Sequence, residues 1–152
     1  MPAGANRRGR TRCLILRFGR VVWRVTFLAL RWHASSKVEV GVPRSLVVLS
    51  GCGHAGIVNT IEYAQKRVQH APIHAAIGGF HLFAASDDTL AWTAAKLKEA
   101  RVQYFLGAHC TGIEAVFRIR QALGLPRKQA LVGAVGATFT LGTGIDPKAL
   151  AQ

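Results

Sequence analysis

From Leu46 onward the chain alternates short β-branched runs with stretches whose apolar residues recur every three or four positions. Leu46-Val47-Val48-Leu49 is an unbroken apolar run, the mark of a strand covered on both faces. Ala55 to Gln69 follows, with Ile57, Ile61, Ala64 and Val68 on one helical face, and Pro72 stops it. Ile73 to Ile77 predicts a second strand. Ser86 is placed as an N-cap, with Asp87 and Asp88 at the positive end of the helix dipole, Lys96, Lys98 and Arg101 at the other end, and Leu90, Ala94 and Leu97 facing inward. Val102 to Leu106 predicts a third strand. Thr111 with Glu114 three residues later reads as a capping box, opening a helix that carries Ile113, Val116, Phe117 and Leu123 and ends at Gly124, with Pro126 beyond. Leu131 to Leu141 supplies one or two final strands. This β-α-β-α-β-α-β order predicts an α/β fold with helices layered on a sheet.

The 152 residues, half of them hydrophobic, are enough for one domain with its own core and argue against disorder. The three cysteines, Cys13, Cys52 and Cys110, are an odd, widely spaced set, which argues against a disulfide framework and sets a reducing, cytoplasmic expectation. The net charge of +13 is unevenly distributed. Residues 1–37 hold Arg7, Arg8, Arg10, Arg12, Arg17, Arg20, Arg24, Arg31 and Lys37 and no acid. Charge therefore divides the chain into a basic N-terminal segment, 1–37, placed outside the fold, and a domain over 38–152. Arg17, Arg20 and Arg24 break the apolar runs of that segment, so it lacks the ~20 uninterrupted apolar residues of a membrane span, and no membrane partner is expected. An Arg-rich presequence, a misread start and a basic arm for nucleic-acid phosphates all fit its composition.

The chemistry sits where the strands end. The first runs into Ser50-Gly51-Cys52-Gly53-His54, the second into Gly78-Gly79-Phe80-His81, the third into Gly107-Ala108-His109-Cys110. Successive histidines are 27 and 28 residues apart. If each β-α unit is one turn of the same winding, the three imidazoles leave the carboxyl end of the sheet together, where open α/β folds build their sites. A neutral imidazole offers a lone pair to Zn, Fe or Mn. The glycines leave room for sharp turns and close approach to the main chain. His54, His81 and His109 are thus the candidate metal ligands, with ring atoms expected some 3 to 7 Å apart.

Other assignments compete for these residues. Structural or purely acid-base histidines are alternatives, and Cys110 just before the capping box is a candidate nucleophile with His109 or His54 as base. Strand alternation weakens a His109–Cys110 pair. His70 and His74 straddle Pro72 and cannot share a helical face; with His33 they are read as solvated. Gly133, Gly136, Gly142 and Gly144 have no Walker lysine after them and fit close strand packing rather than a phosphate loop.

Leu46 to Asn59 with Gly51-Cys52-Gly53-His54-Ala55-Gly56-Ile57-Val58-Asn59, then Ile77-Gly78-Gly79-Phe80-His81-Leu82, then Gly107-Ala108-His109-Cys110-Thr111-Gly112, resemble the metallo-β-lactamase superfamily. The likeness runs over about residues 45–145 and is nearest to the branch of the dihydropterin ribofuranosyl-aminobenzene phosphate synthase type. It implies an αββα sandwich, one or two metal ions, usually zinc, and a water activated for hydrolysis or, in that branch, a transfer reaction. By the resemblance His54 looks like the histidine completing the first metal site and His109 like the late histidine of the second. Many members carry a bridging Asp near the strand end that here holds His81, and no Asp precedes Asp87. The family's early H-x-H-x-D-H string is also absent from these residues. The expectation is therefore the C-terminal half of the sandwich, a partial metallo-hydrolase domain acting on a small-molecule substrate. A basic nucleic-acid-binding module and a Cys-nucleophile enzyme are the alternatives. Half a sandwich should expose an apolar face around Leu46, Val48, Ile77 and Phe105, which predicts a homodimer.

Overall fold

A computed structural model describes residues 14–18, 21–25, 27–32, 45–68 and 70–147. The chain runs β1 (Leu14–Phe18), β2 (Val21–Val25), β3 (Phe27–Trp32), β4 (Ser45–Ser50), α1 (Ile57–Arg67), β5 (Ile73–Gly78), α2 (Asp87–Glu99), β6 (Tyr104–Ala108), a 3-10 turn (His109–Thr111), α3 (Ile113–Leu123), β7 (Ala130–Gly133), β8 (Thr138–Thr140) and β9 (Gly144–Asp146). Strands β3-β4-β5-β6-β7 form a five-stranded sheet, with β1-β2 and β8-β9 as separate antiparallel pairs. From β4 to β7 every neighbour is parallel, and β3 adds antiparallel to β4. The expected α/β order is therefore present, with strands adjacent in space as they are in sequence. The parallel winding brings the carboxyl ends of β4, β5 and β6 to one end of the sheet.

Strand β3, which lies within the basic segment 1–37, pairs with β4 from Phe27↔Ser50 to Trp32↔Ser45. His33 lies outside the described residues.

One core joins the helices to a single face of the sheet. Ile57 and Ile61 of α1, Leu90 and Leu97 of α2, and Val116 and Ile119 of α3 pack with Leu46, Val48, Ile73 and Phe105 of the strands. Leu46, Val48 and Phe105 are fully buried, so the apolar patch expected at those residues is absent: α1 to α3 cover it. Ile77 is half-buried. Val47, Ala75 and Leu106, next to core residues along their strands, are buried as well, as parallel strands covered on both faces require. Among the described residues no helix is long and apolar enough to cross a membrane.

Helix α2 starts as its sequence dictates: the Ser86 hydroxyl accepts from the Thr89 N–H at 3.3 Å, with Asp87 and Asp88 in the first turn. At its end the Glu99 carboxylate bonds Lys96 at 2.7 Å and holds that ammonium above its usual pKa. Helix α3 departs from expectation at its start. Its N-cap is Gly112, at φ 86°, with no side-chain cap, and Glu114 pairs with Arg118 at 2.6 Å instead of reaching back. Thr111 is fully buried and its hydroxyl is engaged elsewhere, so the capping box does not form. The helix ends as expected in left-handed Gly124 (φ 67°).

Candidate metal centre at the carboxyl end of the sheet

Three strand-end segments meet here: residues 51–54 after β4, residues 79–81 after β5 and the 3-10 turn after β6. Main-chain bonds tie them together. The Gly79 N–H donates to the Gly51 carbonyl at 2.7 Å, and the Leu82 and Phe83 N–H groups donate to the Cys110 carbonyl at 3.1 and 3.3 Å. Thr111 joins two of the segments: its hydroxyl accepts from the Phe80 N–H at 3.1 Å and donates to the Ala108 carbonyl at 2.9 Å. Replacing Thr111 by valine keeps the shape but strands a buried N–H and a carbonyl. We expect a loss of about 1–3 kcal/mol, read by urea denaturation, with serine recovering most of it.

The segments approach closely enough that side chains are excluded at two positions. A Cβ on Gly53, which sits at φ 61°, would lie 2.5 Å from the Gly79 carbonyl oxygen. A Cβ on Gly79 would lie 2.5 Å from the Gly51 oxygen and 3.0 Å from Cys110 Sγ.

Each predicted ligand is at this end of the sheet, and all three are exposed. His54 and His81 face each other with ring centroids 4.3 Å apart, and His81 also stands edge-on to Phe83 at 5.4 Å. His109 sits beside the thiols, its Nδ1 3.8 Å from Cys52 Sγ. His81 and His109 hold left-handed backbone conformations, φ 52° and 51°, that non-glycine residues adopt at a cost of about 1–2 kcal/mol. Such outliers cluster where a fold holds a side chain for a purpose.

Among the described residues, the three ligand-capable side chains whose donor atoms all lie within 4.8 Å of one another are Cys52, His109 and Cys110. The sequence pattern had His109 and Cys110 pointing apart. They lie on a 3-10 turn, where strand alternation does not operate. Cys52, two residues before His54 in the chain, is the thiol that meets His109. Imidazole and thiol donors suit zinc and its neighbours in the first transition row, so the donor set fits the implied metal.

The remaining histidines divide. His70 is exposed, as expected. His74 is not solvated: it is half-buried on β5, its Nδ1 2.9 Å from Gln103 Oε1, its ring against Tyr104 and Phe139. A cavity of about 350 Å³ lies away from all this chemistry, between α1, α2 and the start of β5, lined by Glu62, His70, Lys96 and Arg101 among others.

The fold is that of an α/β protein similar to a hydrolase of the metallo-β-lactamase type. Tm1679, a metal-dependent hydrolase of the β-lactamase superfamily, matches with a TM-score of 0.51 and 29% identity over 64% of this chain and 34% of its own. Among curated proteins, the 7,8-dihydropterin-6-methyl-4-(β-D-ribofuranosyl)-aminobenzene-5′-phosphate synthase of Methanocaldococcus jannaschii is 36% identical over 72 residues, 47% of this chain and 24% of the synthase. An uncharacterised protein of the same organism, MJ0448, is 33% identical over 75 residues, 49% of this chain and 28% of that protein. The chain thus spans about a quarter of the length of these curated relatives. No family model matches it.

Proposed function

We propose that this chain carries a metal centre of the metallo-hydrolase type, with His54, His81 and His109 as its metal-facing residues, zinc as the cation and a small molecule as substrate. The observation that carries this reading is the facing pair His54 and His81, 4.3 Å between ring centroids, at the same end of a parallel sheet as His109. Iron or manganese fits imidazole donors too. When bound, such a cation supplies Lewis-acid polarisation and a water acidified toward neutrality. The chain's own residues contribute the rest. Neutral imidazoles offer lone pairs from three adjoining segments, the glycine contacts keep those segments in register, and Thr111 locks two of them. Hydrolysis is the reaction class assigned, in keeping with the similarity to Tm1679, a metal-dependent hydrolase; group transfer is the other outcome of a substrate panel.

The test is equilibrium zinc binding with elemental analysis, beside a panel of phosphodiester, thioester and lactam substrates, on the full chain and on a His54→Ala, His81→Ala variant. Zinc at the His54–His81 pair is expected to be lost or weakened at least about tenfold in the variant, and any turnover with it. Unchanged zinc stoichiometry and affinity in a folded variant would overturn the assignment.

A further inference from the structure

We propose that Cys52, His109 and Cys110 form a second, thiolate-rich site for a thiophilic divalent cation, which shares His109 with the metal-facing histidines but needs neither His54 nor His81. A tetrahedral centre with metal–sulfur bonds of ~2.3 Å and metal–nitrogen bonds of ~2.0–2.1 Å holds its donors about 3.5–3.8 Å apart. Cys52 Sγ and His109 Nδ1 are already 3.8 Å apart, and no pair in the group exceeds 4.8 Å. Closing the site takes a contraction of about one ångström on side chains that are half-buried or exposed and therefore reachable by an ion.

The surroundings hold the donors in place before any ion arrives. Cys110 Sγ donates to the Cys52 carbonyl at 3.2 Å, bringing the third segment against the first. Gly79 fills the remaining gap with bare backbone, since a Cβ there would meet Cys110 Sγ at 3.0 Å and Cys52 Cα at 3.1 Å. His109 keeps φ at 51°, which presents its ring beside the thiols.

Charge selects the same chemistry. Two thiols that release their protons on binding supply two negative charges, so a divalent ion with two thiolates and a neutral imidazole is locally neutral. Sulfur donors favour zinc, cadmium and cobalt over magnesium or calcium, which take oxygen. The proposal does not rest on the His54–His81 pair.

The experiment titrates the full chain, in a Cys13→Ser background under a phosphine reductant, with cobalt(II) followed by sulfur-to-metal charge-transfer absorption. The band is expected in the parent and in the His54→Ala, His81→Ala variant, and lost in a Cys52→Ser, Cys110→Ser variant that keeps its far-ultraviolet circular dichroism. Zinc should also slow alkylation of Cys52 and Cys110 in the parent at least about tenfold, a readout that needs no cysteine variant. Absence of the band with unprotected thiols, or a band that survives the cysteine substitutions, would overturn the site. A band lost in the histidine variant would merge the two donor sets and overturn the claim that the site needs neither His54 nor His81. Failure of the histidine centre alone would leave the cysteine-dependent band intact.

Discussion

Alanine at Gly78 is expected to cost more than about 4 kcal/mol, enough to leave a chain of ordinary stability largely unfolded. Gly78 ends β5 at φ 131° and is the register partner of Ser50 on β4. An added Cβ would collide with the Ser50 carbonyl oxygen and carbon, and would stand 3.1 Å from the Ser50 nitrogen. Those atoms are main chain inside a parallel pair, so no rotamer change relieves the overlap. Relief requires β4 and β5 to part at the end where the His54 and His81 segments begin. Gly51 is the matched control: it lies in the same region, yet its Cβ would meet nothing within 4 Å. Gly51→Ala should fall within about 0.5 kcal/mol of the parent. Urea denaturation of the two variants decides the matter, and similar midpoints would show that the close approach at Gly78 is not a real constraint.

What the sequence disclosed follows from the range over which each signal acts. Periodicity and strand-end punctuation are local, so β4, β5, α1 and α2 fall close to where the apolar pattern puts them, and Ser86 caps as its neighbours predict. The gathering of strand ends at one side follows from repeating one β-α unit, and the structure has that parallel order. The failures are non-local. Thr111 and Glu114 have the spacing of a capping box, but the Thr111 hydroxyl accepts from the Phe80 N–H, on a segment that no local window contains. His74 shows a polar residue in a strand, and nothing nearby in sequence announces Gln103, Tyr104 and Phe139 around it. The meeting of Cys52 with His109 spans 57 residues and depends on a turn conformation that strand alternation does not anticipate.

Phe80 couples the core to the metal-facing residues, which makes its truncation costly on both counts. Its ring is 1% exposed and packs on fully buried Phe105 with centroids 5.0 Å apart, at a tilt of 31°. Its N–H is bonded to Thr111, and its neighbours in sequence are Gly79, which closes on Gly51, and His81, which faces His54. Phe80→Ala removes a ring from a core whose surroundings are β-sheet and helix, where collapse onto the void is limited, so a loss of about 3–5 kcal/mol is expected. Phe80→Leu fills most of the volume and should cost less than about 1.5 kcal/mol. The same pair separates packing from positioning. If the ring also holds the backbone of residues 79–81, metal affinity at the His54–His81 pair falls in the alanine variant under conditions where both proteins are folded, and is kept in the leucine variant. A loss below about 1 kcal/mol for Phe80→Ala in urea would show that Phe80 is not a core residue, and equal metal affinity in the two folded variants would show that His81 is held by the main-chain bonds of its loop alone.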